Sequence, residues 1–544
     1  MKARKITVIL FILVHVLFLF GCEGQYTRKE TEKELISVHY GHSIKATMKF
    51  PEGQSIEDNI YLDLIREEMG IEIIYDWVCA NSEYEQKIDL CIASNTLPDI
   101  MSVNERQFRK MLANGQIQSM SNAYEEYASD MLKSIVSSGE IMDTVMEQGE
   151  MMALPIPHVD DQINIMWIRQ DWLENLGLAY PVTVEELEAV ARAFVTNDPD
   201  GNGLNDTVGI IGPYNSSSIT GLGGNQWGLD PIFSVYGSFP GTWLVREDGT
   251  IYYGSLTEET KYALERLASM YQEGILDSEL LLRGDSLRAV LEGTAGIFFG
   301  PWWSGYSMVD GIMSGEMNWT AHCVPLAEDG KYYNKMSAPC DNYIVVSKNC
   351  DYPQAAIQII NLLLRDEAKW VDQGFNSMVS ISSVYPLFTV YDNADEIAVS
   401  FDILDKWLRD EITMEEIDFT KHKLLENDME MLKVLKKEPL DDFSIQYWDL
   451  EHPEAASNMG RLYSFMVGQR AISTEGYEPV VSAYYGYTET MMKKWKSLKE
   501  AEVEMFSRII MGDAGIEEFD EFVRTWHSMG GEDIIKEIEA ALNE

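Results

Sequence analysis

Between Ser43 and Val103 the chain alternates between two kinds of periodicity, and this constrains its fold more than any other feature. Ser43 to Phe50 places Ile44, Ala46, Met48 and Phe50 on one face and reads as a strand. Asp58 to Met69 has helical spacing and stops at Gly70. Ile71 to Val78 is β-rich. Ser82-Glu83-Tyr84-Glu85 has the form of a capping box that opens a helix to about Asn95. Pro98 to Val103 is a third short strand. Strand, helix, strand, helix, strand is the pattern of a parallel sheet with helices on its faces.

The same two periods continue downstream. Ile163 to Ile168 is apolar and reads as a strand. Thr183-Val184-Glu185-Glu186 caps a helix running through Phe194. Asn197 to Gly241 is rich in Gly, Asn and Ser and has little periodicity. Thr294 to Gly300 reads as a buried strand ending at Pro301, and Tyr343 to Ser347 as another. Pro353 begins a long amphipathic helix. The last third is largely helical: Val399 to Lys436, Thr488 to Gly512, then Ile516 to Glu544 with a break at Gly530-Gly531. At 544 residues the chain exceeds one ordinary domain, so two or more lobes are expected.

The N-terminal residues carry an address. Lys2, Arg4 and Lys5 precede an apolar run from Ile6 to Phe20, too short for an ordinary spanning helix and of the form of an export signal. Leu19-Phe20-Gly21-Cys22 resembles a bacterial lipobox, in which the cysteine is lipidated and becomes the mature N-terminus; Phe20 stands where a small residue is usual. Residues 1–21 are read as a signal peptide and 22–40 as lipid anchor and tether. Cys22 would then hold the protein on the extracellular face of the cell membrane. Plain secretion with cleavage nearby is the alternative.

Charge and cysteines exclude other classes. Lys and Arg total 42 against 89 Asp and Glu, a formal net charge of −47. Such a chain repels phosphate backbones, so nucleic acid is excluded as a partner, and an anionic bilayer would not hold it by charge. Beyond Cys22 there are Cys79, Cys91, Cys323, Cys340 and Cys350. An odd number cannot all pair and no spacing suits zinc, so scattered buried thiols are expected.

Several longer motifs then follow in order. They are Gly149-Glu150-Met151-Met152-Ala153-Leu154-Pro155, Met166-Trp167-Ile168-Arg169-Gln170-Asp171-Trp172, Pro181-Val182-Thr183-Val184-Glu185-Glu186-Leu187 and Asn197-Asp198-Pro199-Asp200-Gly201-Asn202-Gly203. Leu97-Pro98-Asp99-Ile100, Gly296-Ile297-Phe298-Phe299-Gly300-Pro301-Trp302-Trp303 and Ile509-Ile510-Met511-Gly512 join them. With these motifs the chain resembles the extracellular solute-binding proteins of ABC importers, in their large lipoprotein branch. It is similar there to polysaccharide- and alginate-fragment-binding proteins. The resemblance covers nearly the whole mature chain.

The resemblance implies an α/β, two-lobe periplasmic-binding-protein-like fold of type II, with a hinge, a central ligand cleft and a helix-rich C-terminal part. One lobe is expected from 41–155 plus about 320–380, the other from 156–319 plus about 381–544. It also implies a monomer that captures an oligosaccharide and delivers it to the transmembrane subunits of an ABC permease, with ligand stabilising the closed state. A cell-surface lyase or hydrolase, or a ligand sensor for a membrane kinase, is the rival reading. No Gly-x-Ser-x-Gly, His-Glu-x-x-His or P-loop supports an enzyme.

Sugar rings stack their C–H faces on aromatic rings, and their hydroxyls need planar polar partners. Trp227, Trp243, Trp302, Trp303 and Tyr306 lie in loop-like or strand-end settings and are the aromatic candidates. Trp302-Trp303 follows a buried strand and a Gly-Pro turn, so at least one ring is expected to emerge; core tryptophans are the plain alternative. Asp99, Asn104, Arg169 and Asp341, near predicted strand ends, are the polar candidates.

Asp198-Pro199-Asp200-Gly201-Asn202-Gly203-Leu204-Asn205-Asp206 has oxygen side chains at positions 1, 3, 5 and 9 and Gly at 6, the spacing of an EF-hand-like calcium loop. Gly209 stands at position 12 in place of the bidentate Glu. Polysaccharide-binding relatives close the shell with the residue after the last Asp, here Thr207. The expected ligands of a structural Ca2+ are Asp198, Asp200, Asn202, the Leu204 carbonyl, Asp206 and Thr207, with an affinity of roughly 0.1–1 mM. A metal-free Asx/Gly turn is the alternative.

Overall fold

The computed structural model describes residues 35–45, 48–159, 163–215, 217, 219–220, 226–372, 384–387, 391–419 and 421–543. The export signal and Cys22 lie outside the described residues. The elements used below begin with β1 (Ile36–Ile44), β2 (Ile71–Ala80), α1 (Tyr84–Ser94), β3 (Ile100–Asn104), α2 (Glu105–Ala113), β4 (Leu154–Pro157), β5 (Ile165–Arg169), α3 (Val184–Thr196) and β6 (Val208–Ile210). Then come α4 (Glu258–Gln272), β7 (Ala295–Gly300), β8 (Trp319–His322), β9 (Tyr333–Lys335), β10 (Cys340–Val346) and α5 (Gln354–Asp372). The C-terminal third holds α6 (Glu396–Leu408), α7 (Leu425–Leu435), α8 (Ala455–Tyr463), β11 (Glu478–Val480) and α9 (Glu489–Met511).

The first sheet has the order β2-β1-β3-β10-β4. β1 is parallel to β2 and β3, and β10 runs antiparallel to β3 and β4. Ile100, Met101 and Val103 on β3 and the run Tyr343 to Val346 on β10 are all buried, as strands covered on both faces require. α5 contributes Ile357, Ile360, Leu363 and Leu364 to the same core. The second sheet has the order β8-β5-β7-β6, with β5 wholly buried at its centre.

Each sheet has its own core. The first draws on Val38 to Leu154 and on Cys340 to Tyr391. The second lobe is filled by two clusters from Ile163 to Tyr332 and from Ile397 to Ile538. The expected boundaries therefore move. β8 pairs with β5 in the second sheet, and Val384, Tyr385 and Tyr391 pack in the first core. The chain crosses between lobes between Pro157 and Ile163, between Lys335 and Cys340, and between Tyr391 and Glu396. At the third crossing, Lys423 Nζ donates to Glu367 Oε2 at 2.8 Å and to the Tyr391 carbonyl at 3.0 Å, and lies 3.3 Å from Asp392 Oδ2.

Local signals fared unevenly. The Thr183–Glu186 capping box forms at the start of α3. The Ser82 box does not, because Asn81–Glu83 take a 3-10 turn and the helix starts at Tyr84. The first strand is Ile36–Ile44 rather than Ser43–Phe50: pairing Ile36 with Ile71 buries Val38 and Tyr40 under the first core. The helix expected over Val399 to Lys436 is two helices, α6 and α7. Cys91, Cys323, Cys340 and Cys350 are buried, and Cys79 is half-buried. Among the described residues no helix is long and apolar enough to cross a membrane.

Candidate functional site

Strand direction decides where a ligand can sit. The register pairs Asn104 with Asn342 and Pro157 with Cys340, so β3 and β4 end on the same edge of the first sheet. In the second sheet Gly300, the last residue of β7, pairs with Ile165, the first of β5. The crossing segments join these two edges, and the His158 N–H donates to the Pro339 carbonyl at 3.0 Å between two of them. The edges therefore face each other, and carboxyl strand ends are the usual ligand position in open α/β sheets.

On the first edge Asn104 caps α2. Its Oδ1 accepts the Gln107 N–H at 3.0 Å, and its own N–H donates to Gln107 Oε1 at 3.2 Å. The helix then presents Glu105, Arg106 and Arg109. Arg106 pairs with Asp89 at 2.7 Å, and Arg109 Nε lies 3.4 Å from Glu105. Facing them from the second lobe, the loop between β11 and α9 carries Tyr484, Tyr485 and Tyr487, all half-buried. Burial pushes the Tyr484 phenol pKa up; Glu105 adds to the rise and Arg109 opposes it, which places this ring within electrostatic reach of the other lobe. The Tyr485 hydroxyl donates to the Met336 carbonyl at 3.1 Å and fixes the loop to the second crossing segment.

On the second edge Pro301-Trp302-Trp303-Ser304 follow β7. Here Ser304 Oγ, Gln226 Nε2 and Asn164 Oδ1 are buried without a hydrogen-bond partner among the described residues. Gly300 lets two of them approach: a Cβ there would lie 2.6 Å from Ser304 Oγ and 3.3 Å from Gln226 Cγ. Asn164 adjoins Ile165 at the start of β5. A buried polar atom left unpaired costs about 1–3 kcal/mol, a cost that a ligand rich in hydroxyls would relieve. The π-helical turn Ser464–Gln469 backs this edge, with the Phe465 ring 4.9 Å from Trp302.

The expected site residues divide accordingly. Asn104, Trp302 and Trp303 stand on the facing edges; Trp303 is half-buried and Trp302 only 6% exposed. Trp227 backs the edge, its N–H on the Phe299 carbonyl at 2.7 Å and its ring 4.7 Å from Phe298. Tyr306 is 45% exposed beside α8, and Arg461 Nη1 donates to its hydroxyl at 3.4 Å. Asp341 lies in β10, and its side chain is outside the described residues.

Three assignments are corrected. Trp243 is a core residue, 4% exposed and packed 4.8 Å from Tyr253 and 5.9 Å from Trp495. Asp99 precedes β3, on the edge away from the crossings, and accepts the His39 N–H at 2.9 Å. Arg169 ends β5, at the opposite end from Gly300. It binds Asp171 at 2.8 Å and lies 4.7 Å over the Trp172 ring. Sequence reasoning missed Asn164, Gln226, Ser304, Tyr484 and Tyr487. The run Ala483-Tyr484-Tyr485-Gly486-Tyr487 ahead of a long helix signals the last two; nothing local marks the other three.

The Asp198–Asp206 segment is a tight turn. Asn202 Nδ2 donates to Asp200 Oδ2 at 2.9 Å and Asp206 Oδ1 at 3.2 Å, and the Gly203 N–H donates to Asp198 Oδ2 at 3.1 Å. Burial raises the Asp200 carboxyl pKa, the Asn202 N–H opposes this, and Asp198 and Asp206 add to the rise. Thr207 is corrected: its buried hydroxyl donates to the Phe194 carbonyl at 2.7 Å and turns away from the loop. Among the described residues no three acidic, His or Cys side chains are arranged to hold one ion.

Known proteins share this architecture. The model of the bacterial extracellular solute-binding protein family matches residues 51–370. Lipoprotein LipO of Bacillus subtilis is 29% identical over 262 residues, 47% of this chain and 49% of the relative. The fructooligosaccharide ABC transporter substrate-binding protein FusA of Streptococcus pneumoniae is 24% identical over 288 residues, 48% of this chain and 50% of the relative. The match thus spans about half the length of these curated relatives. Among solved structures, alginate-binding protein AlgQ2 without calcium ion superposes with a TM-score of 0.60 at 14% identity, covering 94% of this chain and 99% of that one. That likeness establishes the two-lobe periplasmic-binding-protein-like fold.

Proposed function

The chain belongs to the bacterial extracellular solute-binding protein family, and on that premise we propose that it captures an oligosaccharide between its lobes and delivers it to an ABC permease. The observation that carries this reading is the set of buried polar atoms on Asn164, Gln226 and Ser304 with no hydrogen-bond partner among the described residues, on the strand edge that the crossing segments join to the edge bearing Asn104. Hydroxyl groups would satisfy those atoms, and ring faces would stack on Tyr484 or Trp303. The names of the fructooligosaccharide- and alginate-binding relatives support a carbohydrate. A net charge of −47 opposes the approach of a polyanion and favours a neutral one. The protein acts by binding, as a monomer, and not as an enzyme. Thermal unfolding of the mature chain against a panel of neutral oligosaccharides and uronates tests this. Protection by a neutral glycan is expected; protection by a peptide alone, or release of new reducing ends, would overturn it.

Two further features complete the proposal. Cys22 carries a lipid that holds the protein on the outer face of the membrane, supported by the preceding apolar run and by the similarity to a lipoprotein. Cys22→Ala is expected to move the protein from the membrane fraction to the medium; retention in the membrane would remove the anchor from the account. Asp198, Asp200, Asn202, the Leu204 carbonyl and Asp206 hold a structural Ca2+, supported by the oxygen spacing of the loop and by Asp200 and Asp206 meeting at the Asn202 amide with Asp198 beside Asp200.

A further inference from the structure

The second lobe holds a groove of about 1190 Å³, built from the N-terminal turns of α3 and α4, the segment around Tyr236 and the hairpin Leu326–Tyr333. Among the described residues five carboxylates line it, on Glu185, Glu258, Glu259, Glu328 and Asp329, and no Lys or Arg does. The neighbouring cations are engaged by other groups: Arg266 by Glu188 and the Tyr236 phenol, Lys261 by Asp520 at 2.7 Å, and Lys331 by Glu478 at 3.0 Å. Asp329 is engaged by the Tyr333 hydroxyl at 2.6 Å. The four glutamates form no ion pair among the described residues.

Aromatic rings alternate with these acids. Tyr236 and Tyr262 meet edge to face at 5.0 Å, and Phe239 and Tyr333 at 6.1 Å. Tyr262 is 51% exposed, and Val182 on the groove wall is 37% exposed. The dipoles of α3 and α4 account for carboxylates in their first turns. They account neither for Glu328 and Asp329, which lie on a hairpin, nor for the exposed rings.

Ring faces beside unpaired carboxylates are the chemistry that holds a Lys or Arg side chain, its stem on the ring and its head on the acid. The volume also exceeds the roughly 300–1,000 Å³ typical of small-molecule sites, so a run of residues fits better than a single small ion. We propose that this groove docks a basic segment of a partner protein, which presents Lys or Arg side chains to Glu258, Glu259 and Glu328 and packs their stems on Tyr262. The proposal is independent of the oligosaccharide reading.

A dye-labelled tetra-arginine peptide, titrated by fluorescence anisotropy at about 0.15 M salt, tests it, because screening there limits non-local attraction to about 8 Å. Saturable one-to-one binding is expected. Glu258→Gln with Glu259→Gln, and separately Tyr262→Ser, should each weaken it about tenfold or more. Glu52→Gln with Glu57→Gln changes the net charge equally on the other lobe and should leave it unaltered. Glu328→Gln, on the hairpin, gives an independent reading if the α4 variants lose stability. Equal weakening by the Glu52/Glu57 pair, no effect of Tyr262→Ser, or tighter binding of spermidine than of the peptide would each overturn the proposal.

Discussion

At the scale of single residues, Ser304 gives the sharpest prediction. Its hydroxyl is buried with no partner among the described residues, so removing it should cost the fold little and can relieve an unmet hydrogen bond. Ser304→Ala should leave the melting temperature unchanged or raised, and should weaken oligosaccharide binding by about 0.5–1.5 kcal/mol, read by calorimetry. A loss of stability without a loss of affinity would remove Ser304 from the site. Asp392 gives a second prediction. Burial pushes its carboxyl pKa up to about 6, with Lys423 opposing and Glu396 and Glu367 adding to the rise. A folded-state value above the unfolded one stabilises the protein below the unfolded pKa, and that contribution is lost as pH rises through the folded value. The melting temperature of the wild type relative to Asp392→Asn should therefore rise as pH falls from about 7 to about 4. A difference that stays flat, or moves the other way, counts against the buried carboxyl. Asp99 and Arg169 show what residue-level reading cannot supply. Both lie at strand ends, as their local sequence implies, but which end faces the cleft depends on pairing partners far away in the chain.

At the scale of elements, the sequence was most legible where periodicity and punctuation agree. α9 is an example: the Thr488 hydroxyl accepts the Met491 N–H at the start, and Gly512 closes the helix at φ 79°. β5, β7 and β10 were legible as apolar runs. Ser82 misled because the preceding strand runs on to Ala80, leaving a 3-10 turn where the capping box would form. Trp243 misled because a Gly/Ser-rich stretch hid a short strand whose first side chain enters the core. The aromatic loop at Tyr484 lies far in sequence from the motifs at Leu97 and Gly296, and it is placed by β11 pairing with β9, by Trp243 backbone contacts and by the Tyr485 bond to Met336. The Asp198–Asp206 turn carries its own prediction. If it holds Ca2+, chelation should lower the melting temperature and release about one ion per chain by metal analysis, with ligand affinity largely kept. Unchanged stability together with unchanged metal content would leave a plain Asx/Gly turn.

At the scale of the whole molecule, the net charge and the cleft make separate statements. A neutral ligand bound through hydroxyls and ring faces should keep its affinity from about 0.05 to 0.5 M salt, whereas a polyanionic ligand would bind more tightly as salt screens the −47 body. Titration at several salt concentrations distinguishes the two. The two-lobe architecture followed from motif resemblance, but the boundaries did not, because β8 and Tyr391 reveal their lobes only through pairing and packing. The three crossings also govern how the protein is made. β10 fills the gap between β3 and β4, yet it is synthesised only after all four strands of the second sheet. At about 5–20 residues per second, a ribosome would hold the first sheet incomplete for on the order of ten seconds or more, with the β3 and β4 edges open. The first sheet is therefore closed late, and its β3 and β4 edges stay open to wrong pairing while the whole second sheet emerges.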